Sequence, residues 1–82
     1  MDTKQIRFSQ SARKHRIGKS HAMWAINHVE ATKVLAAKGS GKADRLMWVG
    51  YDDRGVELEI IAVDLYDMIL VIHVMPRNFR KG

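Results

Sequence analysis

Apolar and polar positions along the chain change period several times, and each change marks an element. Ile6 and Phe8 flank Arg7 with a period of two, which predicts a short edge strand over Gln5 to Phe8. Ser9, with Ser11 as a weaker alternative, is a suitable N-cap for a brief helix through Ala12-Arg13-Lys14-His15-Arg16. Gly18 can take the left-handed conformation that ends it. Ser20 then opens a second helix, roughly His21 to Val29, with Ala22, Met23, Ile26 and Val29 on one stripe. Lys33 to Ala37 reads as a strand or a last helical turn. The run Lys38-Gly39-Ser40-Gly41-Lys42 is a glycine-rich hairpin connection. It lacks the spacing and the strand-to-helix context of a phosphate-binding loop.

The second half is strand-like. Leu46 to Tyr51, Val56 to Asp64 and Met68 to Met75 are separated by Asp52-Asp53-Arg54-Gly55 and by Leu65-Tyr66-Asp67, and Pro76 stops the last ladder. Consecutive strands joined by tight turns pair antiparallel. The order predicts an α+β fold over residues 1–82 as one domain. In it, two N-terminal helices pack on one face of a small antiparallel β-sheet, and the other face is left free.

Alternation assigns faces. Val56, Leu58, Ile60 and Ala62 share one side of their strand, and Glu57, Glu59, Ile61 and Val63 share the other. In the next strand Leu70, Ile72 and Val74 oppose Ile69, Val71, His73 and Met75. A three-residue turn would set Glu59 directly across from His73, both outward, and a slip of one residue would break that pairing.

Composition narrows the class. The chain has 82 residues, 46% apolar and 28% charged, in the range of a globular domain. With no cysteine there can be no disulfide, thiolate zinc site or cysteine nucleophile. The histidines show neither His-x-His nor His-Glu-x-x-His spacing, so no metal and no cofactor is expected. No N-terminal apolar run resembles a signal peptide and no apolar stretch suits a membrane span, so a cytoplasmic location is expected. The net charge is +5 and unevenly placed. Lys4, Arg7, Arg13, Lys14, Arg16 and Lys19 crowd the start, acids dominate from Asp44 to Asp67, and Arg77, Arg80 and Lys81 end the chain. Basic ends around an acidic middle point to a polyanion partner, provided the fold brings those ends together.

A carboxylate beside an imidazole can act as an acid–base couple. Cleavage of RNA at its own 2′-hydroxyl needs a base, an acid and cations for the crowded phosphorane, and no metal. Glu59 as base, His73 as acid, and Arg77 and Arg80 as the charge clamp fill those roles. The same pair could equally be a cross-strand contact that only stabilises the sheet. His15 and His21 bracket Gly18 and could bind phosphate with Arg13, Lys14, Arg16 and Lys19, or could simply be helix-terminus residues. Among the aromatic residues, Phe79 between Arg77 and Arg80 is the candidate for stacking on a base, whereas Trp24 and Trp48 suit packing.

Three segments together carry a family likeness: Ile6-Arg7-Phe8-Ser9 leading into Ala12-Arg13-Lys14-His15; Arg16-Ile17-Gly18-Lys19-Ser20-His21-Ala22; and Leu46-Met47-Trp48-Val49-Gly50-Tyr51-Asp52-Asp53-Arg54-Gly55. In order and pattern they resemble the BrnT-like toxins of type II toxin–antitoxin systems, relatives of the RelE/ParE toxin superfamily. The resemblance implies an mRNA endoribonuclease toxin, neutralised by an antitoxin protein of the ribbon-helix-helix type, with operator DNA bound only by the toxin–antitoxin complex. The chain departs from the pattern in having Lys14-His15-Arg16 where the family has Lys-His-Gly, and in a final basic segment shortened to Arg77-Asn78-Phe79-Arg80-Lys81. The alternative is a non-catalytic nucleic-acid- or protein-binding module of the same fold.

Overall fold

In the computed structural model, which describes residues 4–34 and 42–79, the period-two segments are strands. Strands β1 (Gln5–Phe8), β2 (Thr32–Val34), β3 (Arg45–Tyr51), β4 (Glu57–Asp64) and β5 (Met68–Pro76) form one sheet in the order β1-β5-β4-β3-β2. β2 to β5 pair antiparallel, whereas β1 lies parallel to β5 at the sheet's edge. The only α-helix among the described residues is α1 (Lys19–His28). The glycine-rich segment 38–41 and the strand expected to run on to Ala37 lie outside the described residues.

Two expectations are overturned here. Among the described residues there are not two N-terminal helices, and the sheet is mixed rather than antiparallel. The segment expected to be the first helix is a single 3-10 turn, Ser11–Arg13. One turn cannot recover the cost of helix nucleation, and Arg13, Lys14 and Arg16 crowd like charges with no acid among them. Its serines do other work: Ser11 Oγ donates to the Ile72 carbonyl at 2.8 Å, which ties the turn to β5. The left-handed residue is Arg16, at φ 58°, and not Gly18, which is extended. Gly18 rather than Ser20 is the N-cap of α1, and Val29 is extended where the helix stops.

α1 presents Ala22, Ala25 and Ile26 to Trp48, Leu58, Ile60, Ala62, Val71 and Val74. Small alanines let the helix approach the sheet closely. Gly50 serves the same end, since a Cβ there would stand 2.5 Å from Val29 Cγ2. Leu58, Ile60, Val71 and Val74 are fully buried, each stabilising by roughly 1.5–3 kcal/mol. The opposite sheet face carries Met47, Val49, Glu59, Ile61, Val63 and His73 and has no α-helix over it among the described residues. No helix of the described residues is long and apolar enough to cross a membrane.

The acidic turn after β3 is built on Asp52. Its buried carboxylate accepts from the amides of Arg54 and Val56, at 2.8 and 3.0 Å, and from the Arg54 guanidinium at 2.7 and 3.0 Å. Removal from solvent alone would raise its pKa. The guanidinium hydrogen bonds, the two amides and the Arg54 charge outweigh this and hold it below the ordinary aspartate value. Gly55 takes the positive φ, 79°, that closes the turn.

Candidate functional site

Turn length and a bulge together decide where His73 points. The hairpin after β4 pairs Asp64 with Ile69, one residue later than a three-residue turn would give. Continued unbroken, that register would set His73 opposite Ile60, on the helix side. Instead the ladder shifts between Ile61 and Ala62, with Ile72 as the extra residue on β5. His73 therefore opposes Ile61 and returns to the face of Glu59, while Val71 and Val74 both enter the core. The expected grouping of Val71 with His73 and of Ile72 with Val74 is corrected by this bulge. Glu59 stands opposite Met75 and not opposite His73. The two are diagonal neighbours, with His73 Nε2 3.4 Å from Glu59 Oε2.

This pair is asymmetric in access. Glu59 is only 6% exposed, whereas 29% of the His73 side chain meets solvent. His73 Nε2 is itself buried and, although at ion-pair distance from Glu59, it is not aligned in a hydrogen bond among the described residues. The His15 ring lies edge-on to the His73 ring, with centroids 6.3 Å apart. Two imidazoles and one carboxylate thus occupy one end of β5.

The parallel pairing of β1 with β5 has a second consequence. Both strands run in the same direction: the basic turn from Arg13 to Arg16 follows β1, whose last residue pairs with Val71, and the 3-10 turn Arg77–Phe79 follows Pro76 at the end of β5. Arg13, Lys14, Arg16, Lys19 and Arg77 make no ion pair with another described residue. Arg77 lines an open cleft of about 460 Å³ with Gly55, Val56, Glu57 and Asn78. Arg80 lies outside the described residues, and the Phe79 backbone closes the last turn.

His21 is drawn elsewhere. Its Nδ1 is 2.6 Å from Asp53 Oδ1, joining the first turn of α1 to the acidic hairpin. His21, Asp52 and Asp53 offer three ligand atoms within 4.8 Å of one another. Both Asp52 oxygens are already taken by the turn, and His21 and Asp53 are paired, so hydrogen bonding accounts for the cluster. Trp48 is core, and Trp24 stacks on His28 at 3.7 Å between centroids.

Arg7 is the cation that sequence reasoning left out of the site. It pairs alongside Leu70, which opposes Val63, and this places it on the Glu59 face with its side chain exposed. The Ile6-Arg7-Phe8 alternation was the signal that could have found it. In comparisons with protein-family models, with curated proteins and with solved structures, the chain finds no match.

Proposed function

We propose that the chain is the toxin of a type II toxin–antitoxin system, a small metal-independent endoribonuclease that cuts mRNA in the cytoplasm. A ribbon-helix-helix antitoxin would silence it, and only the complex would contact operator DNA. The observation that carries this reading is the buried Glu59 carboxylate 3.4 Å from His73, with His15 edge-on beside it and basic segments following both β1 and β5.

In this reading His73 and His15 share the acid and base roles, and Glu59 is a positioning residue that favours one orientation of the His73 ring. One imidazole takes the 2′-hydroxyl proton as that oxygen attacks phosphorus. The other gives a proton to the departing 5′-oxygen, leaving a 2′,3′-cyclic phosphate and a 5′-hydroxyl. Arg77 and the cations after β1 hold the phosphorane charge.

The test is incubation of the purified protein with single-stranded RNA in EDTA. The expected result is cyclic-phosphate ends from RNA, no cutting of DNA, and loss of cutting in His73→Ala with unchanged circular dichroism. Full activity in His73→Ala would end the proposal.

A second reading, a non-catalytic nucleic-acid- or protein-binding module, draws support from the near-complete burial of Glu59 and from the half-exposed Met47, Val49, Ile61 and Val63 around it. RNA bound with salt-sensitive affinity but left intact would select it.

A further inference from the structure

Apart from the Glu59–His73 pair, a cavity of about 240 Å³ opens between the end of β1 and the start of α1, lined by Phe8, Ala12, Arg13, Arg16, Ile17 and Lys19. Its lining divides sharply. Phe8, Ala12 and Ile17 give an apolar wall that belongs to the core or packs on it. Arg13, Arg16 and Lys19 are exposed cations, with no acid among the lining residues.

Three like charges around one cavity repel one another, and none of them is neutralised by a described residue. Lys19 and Arg16 each show a further feature there. Lys19 Nζ sits 5.6 Å from the centre of the Phe8 ring, a cation–π contact that fixes the ammonium without cancelling its charge. Arg16 is held at φ 58°, a conformation costly for a residue with a Cβ and one that glycine would adopt freely. Exposed cations beside an apolar wall suit an anion that also has a body to place against that wall.

We propose that this cavity is a nucleotide subsite. It takes one phosphate of a single-stranded RNA on Arg13, Arg16 and Lys19, with the attached nucleoside against Phe8 and Ile17. This rests on the reading of the chain as an RNA-binding protein. His15, between Arg13 and Arg16 in sequence, links the subsite to His73.

Uridine 5′-monophosphate is the probe, titrated into ¹⁵N-labelled protein, with uridine and inorganic phosphate as separate controls. The expected result is that the nucleotide binds more tightly than either control and shifts the amides of Phe8, Arg16 and Lys19. Arg16→Gly relieves the left-handed backbone, so it should melt no lower than the parent while binding the nucleotide about tenfold to a hundredfold more weakly. Lys19→Gln serves as a second variant and should weaken binding similarly. Failure of the nucleotide to bind, binding no tighter than inorganic phosphate, or binding unchanged in both variants overturns the subsite, even if the protein cuts RNA. Nucleotide binding lost in both variants supports it, even if His73→Ala shows that no catalysis exists to be lost.

Discussion

The two ends of the sheet use the same kinds of charged residue for opposite purposes. At the end where β1 begins, Lys4 Nζ contacts Asp64 Oδ1 and the Leu65 carbonyl, each at 2.7 Å, pinning the edge strand to the β4–β5 turn. Lys33 lies 3.5 Å from Asp44, whose carbonyl accepts from the Asp64 amide. Lys4 and Lys33 are each matched by an acid there. At the other end Asp52 is committed to Arg54 and Asp53 to His21, while Glu57, Arg13, Lys14, Arg16, Lys19 and Arg77 stand without ion pairs among the described residues. Charge at the first end holds strands together. The unpaired cations at the second do no such work, and His15, between Lys14 and Arg16 in sequence, lies edge-on to His73.

The largest effect that could break this contrast is catalytic. His73→Ala should lower RNA cleavage by about 100- to 10,000-fold, the usual worth of one acid–base group. The ring is mostly buried against Glu59, so the melting temperature should fall modestly while the circular dichroism is kept. Equal loss of cleavage and stability would show that His73 belongs to the scaffold.

Next comes the support beneath the basic end. Asp52→Ala leaves two amides and a guanidinium without their acceptor and should cost about 2–4 kcal/mol in urea unfolding. The same carboxylate sets an acid limit. Its folded-state pKa lies below its unfolded one, so its contribution is complete above about pH 4. It is lost as pH falls through the folded value, because the unfolded chain takes up the proton first. Urea midpoints measured from pH 6 down to pH 2.5 should fall in the parent, and the part owed to Asp52 should be absent in Asp52→Asn.

A smaller loss is expected at Gly50. An added Cβ there meets Val29, so Gly50→Ala should cost about 1–3 kcal/mol, although alanine suits a strand no worse than glycine. Pairing it with Val29→Ala should recover much of that loss in a double-mutant cycle. No recovery would mean that the helix–sheet spacing is set elsewhere.

Much of this was legible locally. Gln5 to Phe8 is the predicted edge strand, and the three long strands end within a residue of where turn residues and Pro76 place them. What could not be read was non-local. Leu70-Val71-Ile72-His73-Val74 consists of residues that all suit a strand, so nothing marks Ile72 as the bulged one. The parallel partner of β1 stands about sixty residues away in sequence, beyond any periodicity. The first helix failed for a physical reason, since one turn of like charges cannot propagate. Glu59 and His73 meet despite a wrong expected register, because the later turn and the bulge shift the parity of the ladder twice. The proximity was right and the route to it was not.

The smallest effect is also the sharpest test of the contrast between the ends. Lys4→Ala removes a partly exposed ion pair and should cost no more than about 1 kcal/mol, screened further by salt. It should leave RNA affinity untouched, because its charge is already answered by Asp64. Lys14→Ala makes the same change in net charge at the other end, where no described acid answers it. It should leave the melting temperature in place, yet reduce the slope of log affinity against log salt by about 0.7, the value for one phosphate contact on a single strand. If both variants change RNA binding equally, net charge alone governs it and the two ends do not differ. If only Lys14→Ala acts, position governs, and RNA approaches the end of the sheet where His15 and His73 stand.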